Sequence, residues 1–140
     1  MPNHNKEIFL VGISDNGTFF AKEIEKILSS ITPLIIKTLK LEVDKKNPEN
    51  EISLDFEIKD LENKSIVIVD DVLNTGLVLA HALKFLLTVH FKQIKIAVLV
   101  NREHNKFPIK ADFKGISLST SVNETVKVNL KGKQKGIFLT

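Results

Sequence analysis

Ile66-Val67-Ile68-Val69-Asp70-Asp71-Val72-Leu73-Asn74-Thr75-Gly76 is the stretch that decides the fold. Its first four residues are all β-branched and show no polar alternation, the pattern of a strand covered on both faces. Two aspartates end that run. A short segment closing on Gly76 then leads into an apolar stretch at 76–89, where only His81, Lys84 and Thr88 form a polar stripe. This reads as strand, loop and helix. A helix apolar around most of its circumference is expected to need more than one covering layer, and a second subunit would be one such cover.

The flanking sequence extends the pattern in both directions. Upstream, Ile8-Phe9-Leu10-Val11 is a short apolar run ending at Gly12, a second buried strand. Over 18–31, Phe20, Ile24, Ile27, Leu28 and Ile31 fall on one helical stripe opposite Lys22, Glu23, Glu25 and Lys26, and Pro33 stops that helix. The period then becomes two. Leu39, Leu41 and Val43 alternate with polar residues, as do Leu54, Phe56 and Ile58, on either side of a polar connector at 44–50. Two such strands predict an antiparallel arm with one wet face. Downstream, Ile96-Ala97-Val98-Leu99-Val100 is a further buried strand, and shorter alternating pieces follow at 115–118, 125–130 and 136–139. The expected fold is α/β: a mostly parallel central sheet with helices on both faces, an antiparallel arm and short C-terminal strands. It is expected to be a single domain over residues 1–140.

Composition narrows the function classes. The chain has 140 residues, 43% hydrophobic and 26% charged, an ordinary globular balance. No apolar run approaches a membrane span, and the first residues lack a signal-peptide layout, so a cytoplasmic location is expected. Cysteine is absent, which excludes disulfides and thiolate metal sites. The net charge is +3, but Arg102 is the sole arginine and the lysines are interleaved with acids. A dedicated RNA-binding face would favour arginine's planar fork, so RNA is not the favoured partner.

In a sheet of this kind, ligands sit beyond the carboxyl ends of the strands. Three segments should meet there: 14–17, 70–76 and 101 onward. The turn after Asp70-Asp71 can offer backbone N–H groups and a helix N-terminus to an anion. Thr75 adds a hydroxyl there, and Gly76 permits close backbone approach. The two carboxylates would repel a phosphate, but they can accept hydrogen bonds from sugar hydroxyls beside it and stabilise positive charge on a sugar ring. No Gly-x-x-x-x-Gly-Lys-Ser/Thr loop is present, so the acids are not those of a P-loop ATPase. His81 and His90 read as surface residues and His104 as a loop residue. Phe19 and Phe20 read as core packing, Phe107 and Phe113 as anchors around Pro108.

The stretch from Ile66 to Gly76 resembles the signature of type I phosphoribosyltransferases, which binds phosphoribosyl pyrophosphate. Ala97-Val98-Leu99-Val100-Asn101-Arg102-Glu103-His104 and Phe107-Pro108-Ile109-Lys110-Ala111-Asp112-Phe113-Lys114-Gly115 resemble one branch, the PyrR family of pyrimidine-operon regulators that also have uracil phosphoribosyltransferase activity. The resemblance implies transfer of ribose 5-phosphate to a pyrimidine base, uracil foremost, with release of pyrophosphate. The alternative it leaves open is a weakly active or inactive nucleotide-sensing or RNA-binding regulator.

Residue roles follow from the resemblance. Asp70 and Asp71 would hold the ribose hydroxyls, while Asn74, Thr75, Gly76, Leu77 and Val78 would wrap the 5′-phosphate. Ser14, Asp15, Asn16 and Gly17 would form a short pyrophosphate loop, and Val100, Asn101 and Arg102 would border the base. Mg²⁺ would arrive on the pyrophosphate with few direct protein ligands, the arm from 39 to 58 would be a mobile cover, and the protein would be a homodimer. The family commonly has an arginine where Leu77 stands and Thr or Ser where Val78 stands. It often has Thr-Arg where Asp15-Asn16 stands, and an Arg-Asp-Asp stretch in the arm, where this chain reads Val43-Asp44-Lys45-Lys46. Lys45 and Lys46 could replace an arginine clamp as point charges.

Overall fold

The computed structural model of the chain describes residues 6–118, 126–129 and 136–139. The order of elements is β1 (Glu7–Ile13), α1 (Ser14–Ile31), β2 (Ile35–Glu42), β3 (Ser53–Leu54), a 3₁₀ turn (Ile58–Leu61), β4 (Ser65–Leu73), α2 (Leu77–Leu86), β5 (Gln93–Asn101), β6 (Phe113–Ser117), β7 (Val126–Asn129) and β8 (Gly136–Leu139). Six strands form one sheet in the order β3-β2-β1-β4-β5-β6, parallel except for β3, and β7 pairs antiparallel with β8. This is the mixed, mostly parallel sheet that the sequence predicts.

Strand alternation sends side chains to two separate cores. Phe9, Val11, Ile13, Ile66, Ile68, Ile96 and Val98 pack on one face with Leu79, Ala82 and Leu86 of α2. Leu10, Ile36 and Val69 pack on the other with Ala21 of α1, joined by partly buried Phe20, Ile24 and Leu28. Both faces of β4 are therefore dry, which explains its unbroken β-branched run. Ile68 is completely buried, so truncating it to alanine should cost about 2–5 kcal/mol. Four more apolar residues of α2, Val78, Ala80, Leu83 and Phe85, are partly buried against the same core. Much of that helix is thus covered from within the chain.

Three boundaries differ from expectation for physical reasons. The alternating segment at 39–43 belongs to β2, which starts at Ile35 and pairs parallel with β1 along that strand's length. Its polar face meets side chains of α1 as well as water: Thr38 donates to Glu25 at 2.7 Å, and Lys40 pairs with Asp15 at 2.6 Å. The arm survives as the short β2–β3 pairing, Leu41 opposite Leu54 and Glu42 opposite Ser53, and Ile58 opens the 3₁₀ turn instead of continuing a strand. The second helix closes at Leu86, with the cap at Leu87 and a turn beyond it, rather than at Val89.

Candidate active site

β4 runs four residues past Val69, because Asp70, Val72 and Leu73 stay in register with Val98, Val100 and Asn101 of β5. The two acids therefore lie inside the strand rather than after it. Asp70 is 2% exposed and Asp71 8% exposed. Two adjacent buried carboxylates need compensation, and it comes from three sources. Asp70 Oδ1 accepts the Asp71 N–H at 2.9 Å, and Asp71 Oδ1 accepts the Val72 N–H at 2.9 Å. Asn16 Nδ2 donates to Asp71 Oδ2 at 3.0 Å. Lys45 Nζ bridges the pair, 3.0 Å from Asp70 Oδ1 and 3.2 Å from Asp71 Oδ1.

These surroundings split the two acids. Burial pushes the Asp70 carboxyl up to about 7, with Lys45 pulling against it and the Asp71 charge adding to it. Burial also opposes ionisation of Asp71. There the Lys45 charge, with hydrogen bonds involving Asp70, Asn16 and Lys45, outweighs it and holds the carboxyl below the ordinary aspartate value. Desolvation works against the charge on Lys45, but the two carboxylates prevail and its pKa stands above that of a free lysine. Neighbouring acids with separated affinities for a proton are a common arrangement in sites that handle developing charge.

A pocket of about 250 Å³ opens beside the acids, lined by Lys45 and the continuous run from Asp70 to Leu79. Its floor is the turn between β4 and α2. Gly76 holds φ at +93° there, and an added Cβ would lie 3.1 Å from Ile109 Cβ, so both conformation and packing require glycine. Thr75 Oγ1 accepts the Leu77 N–H at 3.3 Å, holding the first amide of the helix from two residues before its start. Among the described residues, no acceptor pairs with the N–H groups of Asn74, Thr75 or Gly76. Unpaired amides at a helix N-terminus suit an anion. Leu77 and Val78 contribute no polar side-chain atom to it.

The segment expected as a pyrophosphate loop, Ser14, Asp15, Asn16 and Gly17, is instead the first turn of α1. The chain passes from β1 into that helix without a linker, and Ser14 absorbs the turn at φ +52°. Ser14 Oγ donates to the Val43 carbonyl at 3.1 Å, tying the helix to the end of β2. Gly17 lets the turn press against β4, since an added Cβ would meet the Val69 carbonyl oxygen at 2.6 Å. Asp15 pairs with Lys40, and Asn16 alone of the four sends its side chain to the acid pair.

The third expected segment also reaches this edge. Arg102 N–H donates to the Leu73 carbonyl at 3.0 Å, and the N–H groups of Lys106 and Phe107 both donate to the Thr75 carbonyl, at 2.9 and 3.1 Å. Arg102 Nη1 donates to Asn74 Oδ1 at 3.0 Å, so its side chain leans toward the 74–78 turn. Asn101 Oδ1 accepts the Glu103 N–H. Val100, one residue before the end of β5, has a fully buried side chain. All three predicted segments therefore meet at one edge. The sequence reading named Lys45 only as a point-charge replacement for an arginine clamp, with no tie to the acids. A buried Asp-Asp pair that demands a cation was the signal for its actual partner.

A family model for the phosphoribosyl transferase domain matches residues 3–131. The bifunctional protein PyrR of Leuconostoc mesenteroides is 35% identical over 130 residues, covering 88% of this chain and 74% of that protein. The protein of the same name from Fusobacterium nucleatum is 35% identical over 144 residues, covering 94% of this chain and 81% of the relative. Among solved structures, the hypoxanthine phosphoribosyltransferase of Trypanosoma cruzi matches with a TM-score of 0.71 at 18% identity, over 90% of this chain and 67% of that one. The hypoxanthine phosphoribosyltransferase of Staphylococcus aureus matches with a TM-score of 0.68 at 20% identity, over 83% of this chain and 64% of that one. The structural likenesses show a shared fold.

Proposed function

The chain belongs to the phosphoribosyl transferase family, and from that premise we propose that it transfers ribose 5-phosphate from phosphoribosyl pyrophosphate to a pyrimidine base, uracil foremost. The observation that carries the reading is the adjacency of Asp70 and Asp71 to the amide-rich turn at 74–76, in one pocket. The choice of a pyrimidine leans on the relatives named PyrR.

In this reading the turn at 74–78 grips the 5′-phosphate through main-chain N–H groups, which the apolar side chains of Leu77 and Val78 leave intact. Asp70 and Asp71 accept hydrogen bonds from the ribose hydroxyls. A ring nitrogen of the base bonds to C1 as the C1–O bond to pyrophosphate breaks, pyrophosphate taking the electron pair and solvent the proton that the ring nitrogen gives up. Positive charge builds on the sugar as this happens, and the carboxylates beside it lower the barrier. The first turn of α1, from Ser14 through Gly17, meets the pyrophosphate with backbone amides, and Asp15 stays with Lys40. Asn101 and Arg102, with the main chain at Val100, border the base.

Among the described residues no group of three His, Cys, Asp or Glu side chains could hold a metal ion, and Lys45 already bridges the acids. That donor set fits Mg²⁺ carried on substrate oxygens, where it would neutralise the pyrophosphate, better than a protein-held ion. A cytoplasmic homodimer completes the proposal.

The test is pyrophosphate release with each nucleobase, run beside the Asp70→Asn plus Asp71→Asn double variant. Release with uracil that disappears in the double variant supports the reading, whereas a folded protein inert with every base refutes it. The absence of a side-chain hydroxyl at Leu77 and Val78 favours a second reading, a nucleotide sensor that binds without turnover. Nucleotide-dependent stabilisation without pyrophosphate release would select it. An RNA-binding version predicts an affinity that falls steeply with salt.

A further inference from the structure

We propose that Lys45 is a reversible occupant of the sugar site: its ammonium holds Asp70 and Asp71 when no pyrophosphate is bound, moves to the pyrophosphate of an incoming donor, and returns to the acids to help expel the nucleotide product. The proposal rests on the phosphoribosyl transfer read above.

Competition for acceptors is the first argument. Asp70 Oδ1 and Asp71 Oδ1 each already take one backbone N–H, and each takes the Lys45 ammonium as well. Asp71 Oδ2 is engaged by Asn16. A ribose diol that donates to Oδ1 of either acid must displace the lysine there. Binding the sugar is therefore an exchange of donors rather than an addition.

Exposure identifies which partner is exchanged. The carboxylate side chains are 3% and 11% exposed and fixed in β4, whereas the Lys45 side chain is 41% exposed and rides on the connector after β2. A four-carbon stem with rotatable donors can move without moving the sheet. The connector itself is braced. Asp44 Oδ1 accepts the N–H groups of Lys46 and Asn47, and Asp44 Oδ2 accepts from Asn50 Nδ2. Lys45 thus swings from a fixed base.

Charge gives the exchange its direction. A bound pyrophosphate is a denser anion than two carboxylates that share a fixed hydrogen-bond network, and Lys45 lines the same pocket as the 74–78 turn. Once pyrophosphate departs, the acids, now holding the ribose of the product, are again the anions in ion-pair reach of the lysine, as they are in the ligand-free protein. Its return weakens that hold. The lysine therefore discriminates between two ligands with the same sugar phosphate, favouring the one that also carries pyrophosphate.

The test compares wild type, Lys45→Met and Lys45→Arg. In the ligand-free protein, carbon-13 carboxyl NMR follows Asp71, which faces Lys45, Asp70 and Asn16. Its titration should move upward in Lys45→Met, and an unchanged titration overturns the proposal. Calorimetry then measures ribose 5-phosphate and magnesium phosphoribosyl pyrophosphate. Lys45→Met should bind ribose 5-phosphate about fivefold more tightly and the pyrophosphate donor about tenfold more weakly. Lys45→Arg, which keeps the charge, should retain the wild-type order and shows that the methionine effect is not loss of folding. Weakening of both ligands alike, or an unchanged ribose 5-phosphate affinity, removes the exchange role while leaving phosphoribosyl transfer standing. If wild type binds neither ligand, both fall together.

Discussion

Asp70 should make the ligand-free protein lose stability as the solution becomes less acidic, and asparagine at that position should abolish the loss. The buried carboxyl titrates near 7 in the folded chain against 3.8 for an unperturbed aspartate. Because the folded pKa is the higher of the two, the folded state holds a proton that the unfolded state has released. The stabilisation is complete below pH 3.8 and disappears as pH rises through about 7. At 1.36 kcal/mol for each tenfold change in proton affinity, the fall has a ceiling of about 4 kcal/mol. For a chain of this length that corresponds to roughly 10 °C in melting temperature.

Neighbouring groups do not confuse the window. Asp71 is lowered, so its contribution is present above 3.8 and is lost only as pH falls through its depressed folded value. Lys45 is raised above 10.5, so its contribution is lost only at higher alkalinity. Urea denaturation of wild type and Asp70→Asn at half-unit steps from pH 4.5 to 8, in buffers free of phosphate, isolates the effect. The variant changes the absolute midpoint by altering the contact with Lys45, so the slope is the quantity to compare. Equal slopes for the two proteins would refute the assignment of a protonated, buried Asp70.

Gly17→Ala should lower stability by about 2–3 kcal/mol in thermal melts, because its Cβ would collide with the Val69 carbonyl at 2.6 Å. Pyrophosphate release should fall with it as the turn carrying Asn16 is pushed from the acids. Gly76→Ala places a side chain at φ +93° and 3.1 Å from Ile109, a cost of about 1–3 kcal/mol, and ribose 5-phosphate binding by calorimetry should weaken as the amides tilt. Asn16→Ala removes a donor from Asp71; a loss of about 1 kcal/mol in urea denaturation is expected. Magnesium phosphoribosyl pyrophosphate at a hundred times its Kd should stabilise the wild type by about 2.7 kcal/mol in a melting scan. No shift at that concentration would count against donor binding.

The sheet was legible because burial on both faces leaves a plain mark, as in Ile66-Val67-Ile68-Val69. The two core clusters confirm that reading residue by residue. The convergence of three segments at one edge also followed from topology. Period two at 39–43 was ambiguous: Thr38 and Lys40 are polar because polar side chains of α1 lie against them, which a single sequence does not distinguish from water. The first turn of α1 was hidden for a related reason. Ser14, Asp15, Asn16 and Gly17 have the composition of a loop, yet tertiary contacts from Ser14 to Val43 and from Gly17 to Val69 hold them in a helix. Lys45 stands 25 residues before Asp70, and no local pattern ties two such positions together.

The segment after β5 is fastened to the turn at 74–76 by main-chain donors from Arg102, Lys106 and Phe107, with one side-chain bond, from Arg102 to Asn74, beside them. Its course is thereby insulated from its own composition. An exposed residue between those fastenings, Glu103, is open to replacement while the turn beneath stays put. On the proposed function, a chain built this way changes its ring preference through a few substitutions at the rim, with the turn at 74–76 inherited whole.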